Sequence, residues 1–195
     1  MRRVTFRPPT LDRPEGMALP RLARLAYTLL LAAWGWSIQR APLERGWFVQ
    51  NINLAIHETG HIVFMPFGEF MHFLGGSLFQ LLVPLAFAAY FLRRGDRHGA
   101  TVALWWEATN LWYVAVYIDD AQKIALDYVG GGEHDWAYLL SEFGKVHASA
   151  EIAARVHATG VVVLVMATAL GVLAALHSSP AEDGAMGPHE RTATA

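Results

Sequence analysis

The stretch that decides the fold is NINLAIHETGHIVFM, residues 51–65, which sets an HExxH pattern inside an apolar run. The pattern consists of His57, Glu58 and His61. On a helix, side chains four residues apart project from one face about one turn apart, so both imidazoles can reach the same metal ion. The glutamate is placed to hold a metal-bound water and to take its proton. The stretch therefore predicts a helix with a zinc site and a hydrolytic carboxylate.

The composition is typical of a membrane protein. Of the 195 residues, 54% are hydrophobic and 16% are charged, against about 25% charged residues in ordinary soluble domains. The apolar residues form long blocks bounded by arginines and carboxylates, as spanning segments do. A net charge of −2 argues against nucleic acid as a partner. Because the chain has no cysteine, metal ligands must be histidines or carboxylates.

These blocks predict an all-α, multi-pass transmembrane helical bundle in contact with the lipid bilayer. We expect about four spans, at residues 22–38, 77–92, 100–118 and 152–176, plus the short HExxH helix at 51–65. Residues 1–20, rich in proline and charge, are expected to be a disordered cytoplasmic arm, and residues 178–195 a disordered tail. Residues 21–177 would then form a single membrane-embedded domain, whose first span is a retained signal anchor.

Charge asymmetry predicts the topology. The arm and the turn at 93–97 are rich in arginine, whereas the loop at 119–151 is acidic. The positive-inside rule places the first two in the cytoplasm and the loop outside. Both placements hold together only if the HExxH helix does not cross the bilayer. A short re-entrant helix, entering and leaving on the outer side, meets that condition.

A third metal ligand has to come from another part of the chain. Asp120 is the first choice, because Asn110, Tyr117 and Asp120 fall within one arc of the predicted helix, and a polar stripe on a membrane helix usually faces the bundle interior. His134 and Asp135 are the alternatives, since three glycines precede them and would let their loop fold back over the site.

Four further residues are expected to support or line the site. Asn53 lies one helical turn before His57 and is placed to fix a ring tautomer through a hydrogen bond. Gly60 shares a face with His57 and leaves room for a ligand or another helix. Asn110 and Tyr117 belong to the same stripe as Asp120.

The HExxH helix resembles that of the site-2 protease class of intramembrane zinc metalloproteases. His57 and His61 match the zinc ligands of that family, Glu58 matches its catalytic glutamate, and Gly60 matches its frequent HExGH form. The stretches at 66–70 and 74–80 also resemble small bacterial membrane proteins that carry HExGH. The likeness to site-2 proteases implies a zinc-dependent peptidase, whereas the second likeness supplies no function. We expect the protein in a cell membrane, as a bacterial cytoplasmic membrane protein.

The likeness to that class spans about residues 50–121 and is weaker in its second half. In the family, a later membrane helix brings an asparagine and then an aspartate that completes the zinc site. Asn110 and Asp120 follow in similar order and approximate spacing. The chain departs from the family in having no proline between these two residues and no glycine after Asp120.

Two functions remain open at this point. The first is a membrane-embedded zinc metallopeptidase that cleaves a membrane protein or peptide substrate. The second is a non-catalytic metal-binding membrane protein with a structural or assembly role. The number of protein ligands separates them, because structural zinc sites usually have four and catalytic sites three. The sequence does not indicate an oligomeric state.

Overall fold

The protein is helical throughout the residues that the structure, a computed structural model, describes, which are 21–126 and 133–177. The α-helices of these ranges are α1 (Arg21–Ile38), α2 (Pro42–Arg45), α3 (Trp47–Phe64), α4 (Glu69–Arg93), α5 (Arg97–Asp120), α6 (Asp135–Ser141) and α7 (Ser149–Leu176). Short 3₁₀ turns occupy Met65–Phe67 and Val146–Ala148, and the described ranges contain no strand. The prediction of an all-α class is confirmed. The arm at 1–20, the tail at 178–195 and the triple glycine at 130–132 lie outside the described residues.

Helix α5 is the centre of the bundle. Fourteen of its 24 residues are buried. Trp105 and Trp112 pack with Ile38 of α1 and Leu164 of α7, while the end of α5 packs on α6 and α7 through a second cluster made of Val114, Ile118, Ala121, Leu140 and Ala153. Because other helices surround it, α5 can hold polar side chains away from lipid.

Hydrogen bonds show which helix ends lie together. The Arg21 guanidinium donates to the Leu176 carbonyl at 2.6 Å, and His98 Nε2 lies 3.1 Å from Thr28 Oγ1. The starts of α1 and α5 and the end of α7 therefore share one end of the bundle, which we call the His98 end. Helix α6 and the end of α5 lie at the opposite end. The start of α1 and the 93–97 turn therefore lie at the same end of the bundle.

The interior of the bundle contains small and polar side chains, whereas its outer surface is covered by large apolar ones. The buried residues of α4 are Gly75, Gly76, Ser77, Gln80, Pro84 and Ala88, whereas its exposed large residues are Leu82, Leu85, Phe87, Tyr90 and Leu92. Helix α7 shows the same contrast, with mostly glycine and alanine inside and valine, leucine and methionine outside. Small residues between helices and large apolar residues on the outside are typical of membrane bundles.

Two of the described helices are long and apolar enough to cross a membrane, Glu69–Arg93 and Val146–Leu176. The sequence predicts about four spans, so the count from the structure is lower. Helix α1 has only 18 residues and includes two arginines, and α5 carries charges near both ends and Glu107 at its middle. The apolar windows of the two candidate spans are only 33% and 28% buried, unlike the core helix of a soluble protein. This supports membrane association.

The boundaries around the HExxH helix differ from the prediction. Helix α3 begins at Trp47 and has 18 residues, a length of about 27 Å, and it ends at a 3₁₀ turn containing Pro66. Helix α4 begins at Glu69, so Gly75 and Gly76 lie inside a helix and do not interrupt it. The reason is packing, because a Cβ on Gly75 would lie 2.6 Å from Phe64 Cβ on α3.

Candidate metal centre

Three side chains from α3 and α6 converge at the end of the bundle opposite the His98 end. His57 Nε2 lies 3.0 Å from Asp135 Oδ2, and His61 Nε2 lies 3.3 Å from the same oxygen. The potential ligand atoms of the three residues are all within 4.8 Å of one another. His57 and Asp135 are buried and His61 is half-buried. This group could hold a metal ion, and it is the only such group of histidines and carboxylates within residues 21–126 and 133–177.

A chain of amide hydrogen bonds sets the tautomer of His57. The Asn110 Nδ2 group donates to the Trp106 carbonyl at 3.3 Å, which leaves Asn110 Oδ1 to accept from Gln80 Nε2 at 2.9 Å. Gln80 Oε1 therefore faces His57 Nδ1, at 3.2 Å. An amide oxygen can only accept, so the His57 proton is assigned to Nδ1 and the Nε2 lone pair points at the group.

His61 is oriented in the same sense by the backbone. Its Nδ1 lies 2.8 Å from the carbonyl oxygen of His72 and donates to it. His72 Nδ1 in turn donates to the carbonyl of His61 at 3.0 Å. These reciprocal bonds link α3 to α4 and direct His61 Nε2 toward Asp135. Holding the remote ring nitrogen in this way is what protein partners do for metal-ligating histidines.

The result is a convergence of acceptors. Two imidazole lone pairs and an anionic carboxylate oxygen meet in a mostly buried space, and they repel one another unless a cation or a proton lies between them. Burial alone would raise the pKa of Asp135, but the two imidazoles next to its carboxylate outweigh burial and lower that pKa. Asp135 is therefore ionised, as a metal ligand must be.

Gly76 keeps the space in front of the histidines clear. A Cβ at this position would lie 2.5 Å from His57 Nε2 and 2.7 Å from His61 Nε2. Any side chain here would occupy the volume into which both lone pairs point. Gly60 has a different role, because a Cβ there would collide with the Gly75 carbonyl. It lets α3 and α4 approach closely.

The structure brings the alternative Asp135, and not the first choice Asp120, to the histidine pair. Asp120 is buried, as its place in the polar stripe predicts, but its carboxylate accepts from the backbone amides of Ala125 and Leu126 at 2.9 and 3.2 Å. It also lies 3.4 Å from His134 Nε2. His134 is likewise outside the group. This corrects the choice of Asp120, which the turn after α5 holds away from the histidines.

The predicted supporting residues lie close to the site in different ways. Asn110 acts on His57 through Gln80. The Tyr117 hydroxyl accepts from the backbone amide of Asp135 at 3.3 Å, and its ring contacts His57 edge-on. Asn53 does not contact His57. Its Oδ1 accepts from the Trp106 indole at 2.8 Å.

Sequence reasoning missed the roles of Gln80, His72 and Gly76. Gln80 carried a usable signal, since it is a lone amide within an apolar helix, and such residues usually face the bundle interior. His72 acts through its backbone carbonyl, and Gly76 through having no side chain. Neither role can be predicted from the spacing of residues in the sequence.

Glu58 lies on the exposed side of α3. It is near enough to His61 for its charge to act on that ring. It is not one of the three convergent residues. Its carboxylate is therefore accessible from outside the bundle at the level of the histidines.

Comparisons with family models, with curated proteins and with solved structures gave no match for this chain. The resemblance to site-2 proteases therefore stays a prediction based on the HExGH residues. What can be said of function depends on the geometry of the group.

Proposed function

We propose that the protein is a membrane-embedded zinc metallopeptidase in a cell membrane, with zinc held by His57, His61 and Asp135. The observation that carries this proposal is the tautomer assignment. Both Nδ1 atoms are held by acceptors, so both Nε2 lone pairs face Asp135 Oδ2. A metal ion satisfies all three donors at once.

The donor set favours zinc in a catalytic setting. Two imidazoles and one carboxylate form a set that zinc binds readily. Three protein donors leave a fourth tetrahedral position for water or substrate, as in catalytic sites. Gly76 supports this, because its missing side chain keeps space open beside both ligand nitrogens.

Glu58 is the proposed general base. It directly follows a ligand on the same helix, and its carboxylate is exposed, so water and substrate can reach it. Zinc, when bound, lowers the pKa of a coordinated water and polarises a carbonyl. Glu58 would take the proton of the attacking water and pass it to the leaving amine. His57 and His61 keep their orientation throughout, through Gln80 and the His72 carbonyl.

A multi-pass arrangement is supported by the surface of the bundle. Exposed large apolar side chains cover α1, α3, α4 and α7, while amides, histidines and carboxylates lie inside. A water-soluble fold would have the opposite distribution. The Tyr113 hydroxyl also donates to the Gly46 carbonyl at 2.6 Å. This ties the start of α3 to the C-terminal half of α5 and supports a re-entrant HExxH helix that does not reach the His98 end.

The substrate class follows from the surroundings of Glu58. The exposed side of α3 presents Phe48, Ile52, Ile62 and Val63. A peptide approaching Glu58 along this surface has to be apolar and extended or locally unwound. Membrane proteins and membrane peptides meet this description.

Substitution of Glu58 tests the mechanism. The full-length Glu58→Gln protein should keep its zinc, since Glu58 is not a ligand, but should lose cleavage of an apolar peptide library by at least about 100-fold. Zinc content and cleavage are measured on the same preparation, with Glu69→Gln as the control, because Glu69 is exposed and outside the group. Full cleavage by Glu58→Gln would refute the role given to Glu58.

A non-catalytic metal-binding function is the second candidate. Hydrogen bonds join α3 to α4 through His57 and Gln80, α4 to α5 through Asn110, and α5 to α3 through Trp106 and Asn53. A metal ion bound by His57, His61 and Asp135 would fasten α6 to the three helices, α3, α4 and α5, that these hydrogen bonds join. Adding azide to the Co²⁺-substituted protein separates the two functions. A changed visible spectrum indicates an open coordination position, and an unchanged one favours the structural role.

A further inference from the structure

We infer that Asp120 and His134 form a positioning pair, which holds α6 so that Asp135 reaches the two histidines. This inference rests on the proposed metal function. It gives Asp120 a role in metal binding without making it a ligand. The pair joins the end of α5 to the start of α6, and Asp135 is the first residue of α6.

His134 is the N-cap of α6. Its Nδ1 accepts from the backbone amides of Trp136 and Ala137 at 3.2 and 3.3 Å. An accepting Nδ1 requires the proton on Nε2 in the neutral ring. That Nε2 lies 3.4 Å from Asp120 Oδ2. The imidazole therefore lies between the first turn of α6 and the Asp120 carboxylate, with its Nε2 at ion-pair distance from the anion.

Asp120 is itself held in place. Its two carboxylate oxygens accept from the amides of Ala125 and Leu126, in the turn that follows α5. The side chain is 5% exposed, so water does not compete for these bonds. Asp120 thus provides a fixed anchor at the end of the central helix, and His134 is the group that it anchors.

Tyr117 completes the arrangement one turn before Asp120. Its ring stacks on His134 with centroids 4.3 Å apart and planes 22° apart. Its hydroxyl accepts from the Asp135 backbone amide. The ring plane of His134 and the backbone of Asp135 are therefore both fixed by α5. Contacts from α5 therefore direct Asp135 Oδ2 at His57 and His61, and neither of these two histidines takes part in those contacts.

The test is a double-mutant cycle on the full-length protein in detergent, with zinc affinity measured by chelator competition. Asp120→Ala and His134→Ala should each weaken zinc binding by about 10- to 100-fold, the range for partners that orient metal ligands. The double variant should be no weaker than the worse single one, since the two residues act as one unit. Equal affinity to wild type in both single variants, or fully additive losses, would overturn the inference.

A second variant separates positioning from helix capping. Asn is a strong N-cap, so His134→Asn keeps α6 capped while its shorter side chain cannot reach Asp120. We expect the same loss of zinc affinity, with a thermal unfolding midpoint of the zinc-free protein above that of His134→Ala, because the cap is kept. We also expect the visible spectrum of the Co²⁺-substituted protein to differ from that of wild type, because the Asp135 carboxylate is displaced. Wild-type affinity and spectrum in His134→Asn would show that capping alone suffices and would refute the pair.

Two reference variants identify which proposal fails. Glu142→Ala, an exposed residue directly after α6, should bind zinc like wild type. Asp135→Ala should lose zinc. If Asp135→Ala binds zinc normally, the proposed metal site fails and the inference falls with it. If Asp135→Ala loses zinc and His134→Asn does not, only the positioning pair is refuted.

Discussion

The two ends of the bundle use histidine in different ways. At the His98 end, His98 Nε2 lies between the Thr28 hydroxyl at 3.1 Å and the Arg24 carbonyl at 3.3 Å, and it connects α5 to α1. At the other end, His57 and His61 have their remote nitrogens held by neutral acceptors and their near nitrogens facing a carboxylate. Protein partners satisfy His98, whereas His57, His61 and Asp135 form a set of donors that a cation would satisfy. The contrast distinguishes a helix tether from a ligand set.

Removal of a ligand should produce the largest difference between the two ends. His57→Ala should reduce bound zinc to background, because only one imidazole and one carboxylate remain. His98→Ala should leave zinc content unchanged and lower the free energy of unfolding by about 1 kcal/mol, the contribution of one hydrogen bond. Elemental analysis and thermal unfolding of both variants test this. Equal zinc loss in the two variants would remove the distinction between the ends.

Glycines at the two ends sharpen the comparison. Gly76→Ala places a methyl group 2.5 Å from His57 Nε2, so zinc affinity should fall steeply. Gly171→Ala places one 2.8 Å from Thr28 Cγ2 at the His98 end. It should cost about 1–3 kcal/mol of stability through overpacking and leave zinc affinity unchanged. Normal zinc binding by Gly76→Ala would mean that the ion does not use the space in front of the two rings.

Loss of an orienting partner should have a smaller effect. Gln80→Leu removes the acceptor for His57 Nδ1, and zinc affinity should fall by about 10- to 100-fold. Gln80→Glu keeps an oxygen facing His57 but loses the donor to Asn110 Oδ1, so its zinc affinity should fall less than that of Gln80→Leu. Isothermal titration with zinc measures both. If the two variants bind alike, the acceptor at position 80 does not orient His57.

Much of this molecule can be predicted from local pattern. The spacing of His57 and His61 places both rings on one helix face, and the stripe through Asn110, Tyr117 and Asp120 correctly places Asn110 and Asp120 inside the bundle. Regular helix geometry is enough for both results.

The errors come from contacts between distant parts of the chain. Asp120 and Asp135 were both open as the third ligand, and the choice depends on how the segment after α5 returns, which spacing does not encode. The predicted span starts at residue 77, yet α4 begins at Glu69, and close packing against α3 accounts for Gly75 and Gly76 within this helix. Only two described helices have the length and hydropathy of a span, and α5 is not one of them, because other helices surround it and it need not be apolar.

X-ray absorption at the zinc edge of the purified full-length protein is the most direct test of the central claim. The account predicts one zinc with two imidazole nitrogens at about 2.0–2.1 Å and two oxygens at about 2.0–2.2 Å, one from Asp135 and one from water. Asp135→Ala should lose the carboxylate contribution or the metal itself. A preparation that binds no stoichiometric zinc, or a spectrum with fewer than two imidazoles, would contradict the metal centre built on His57 and His61.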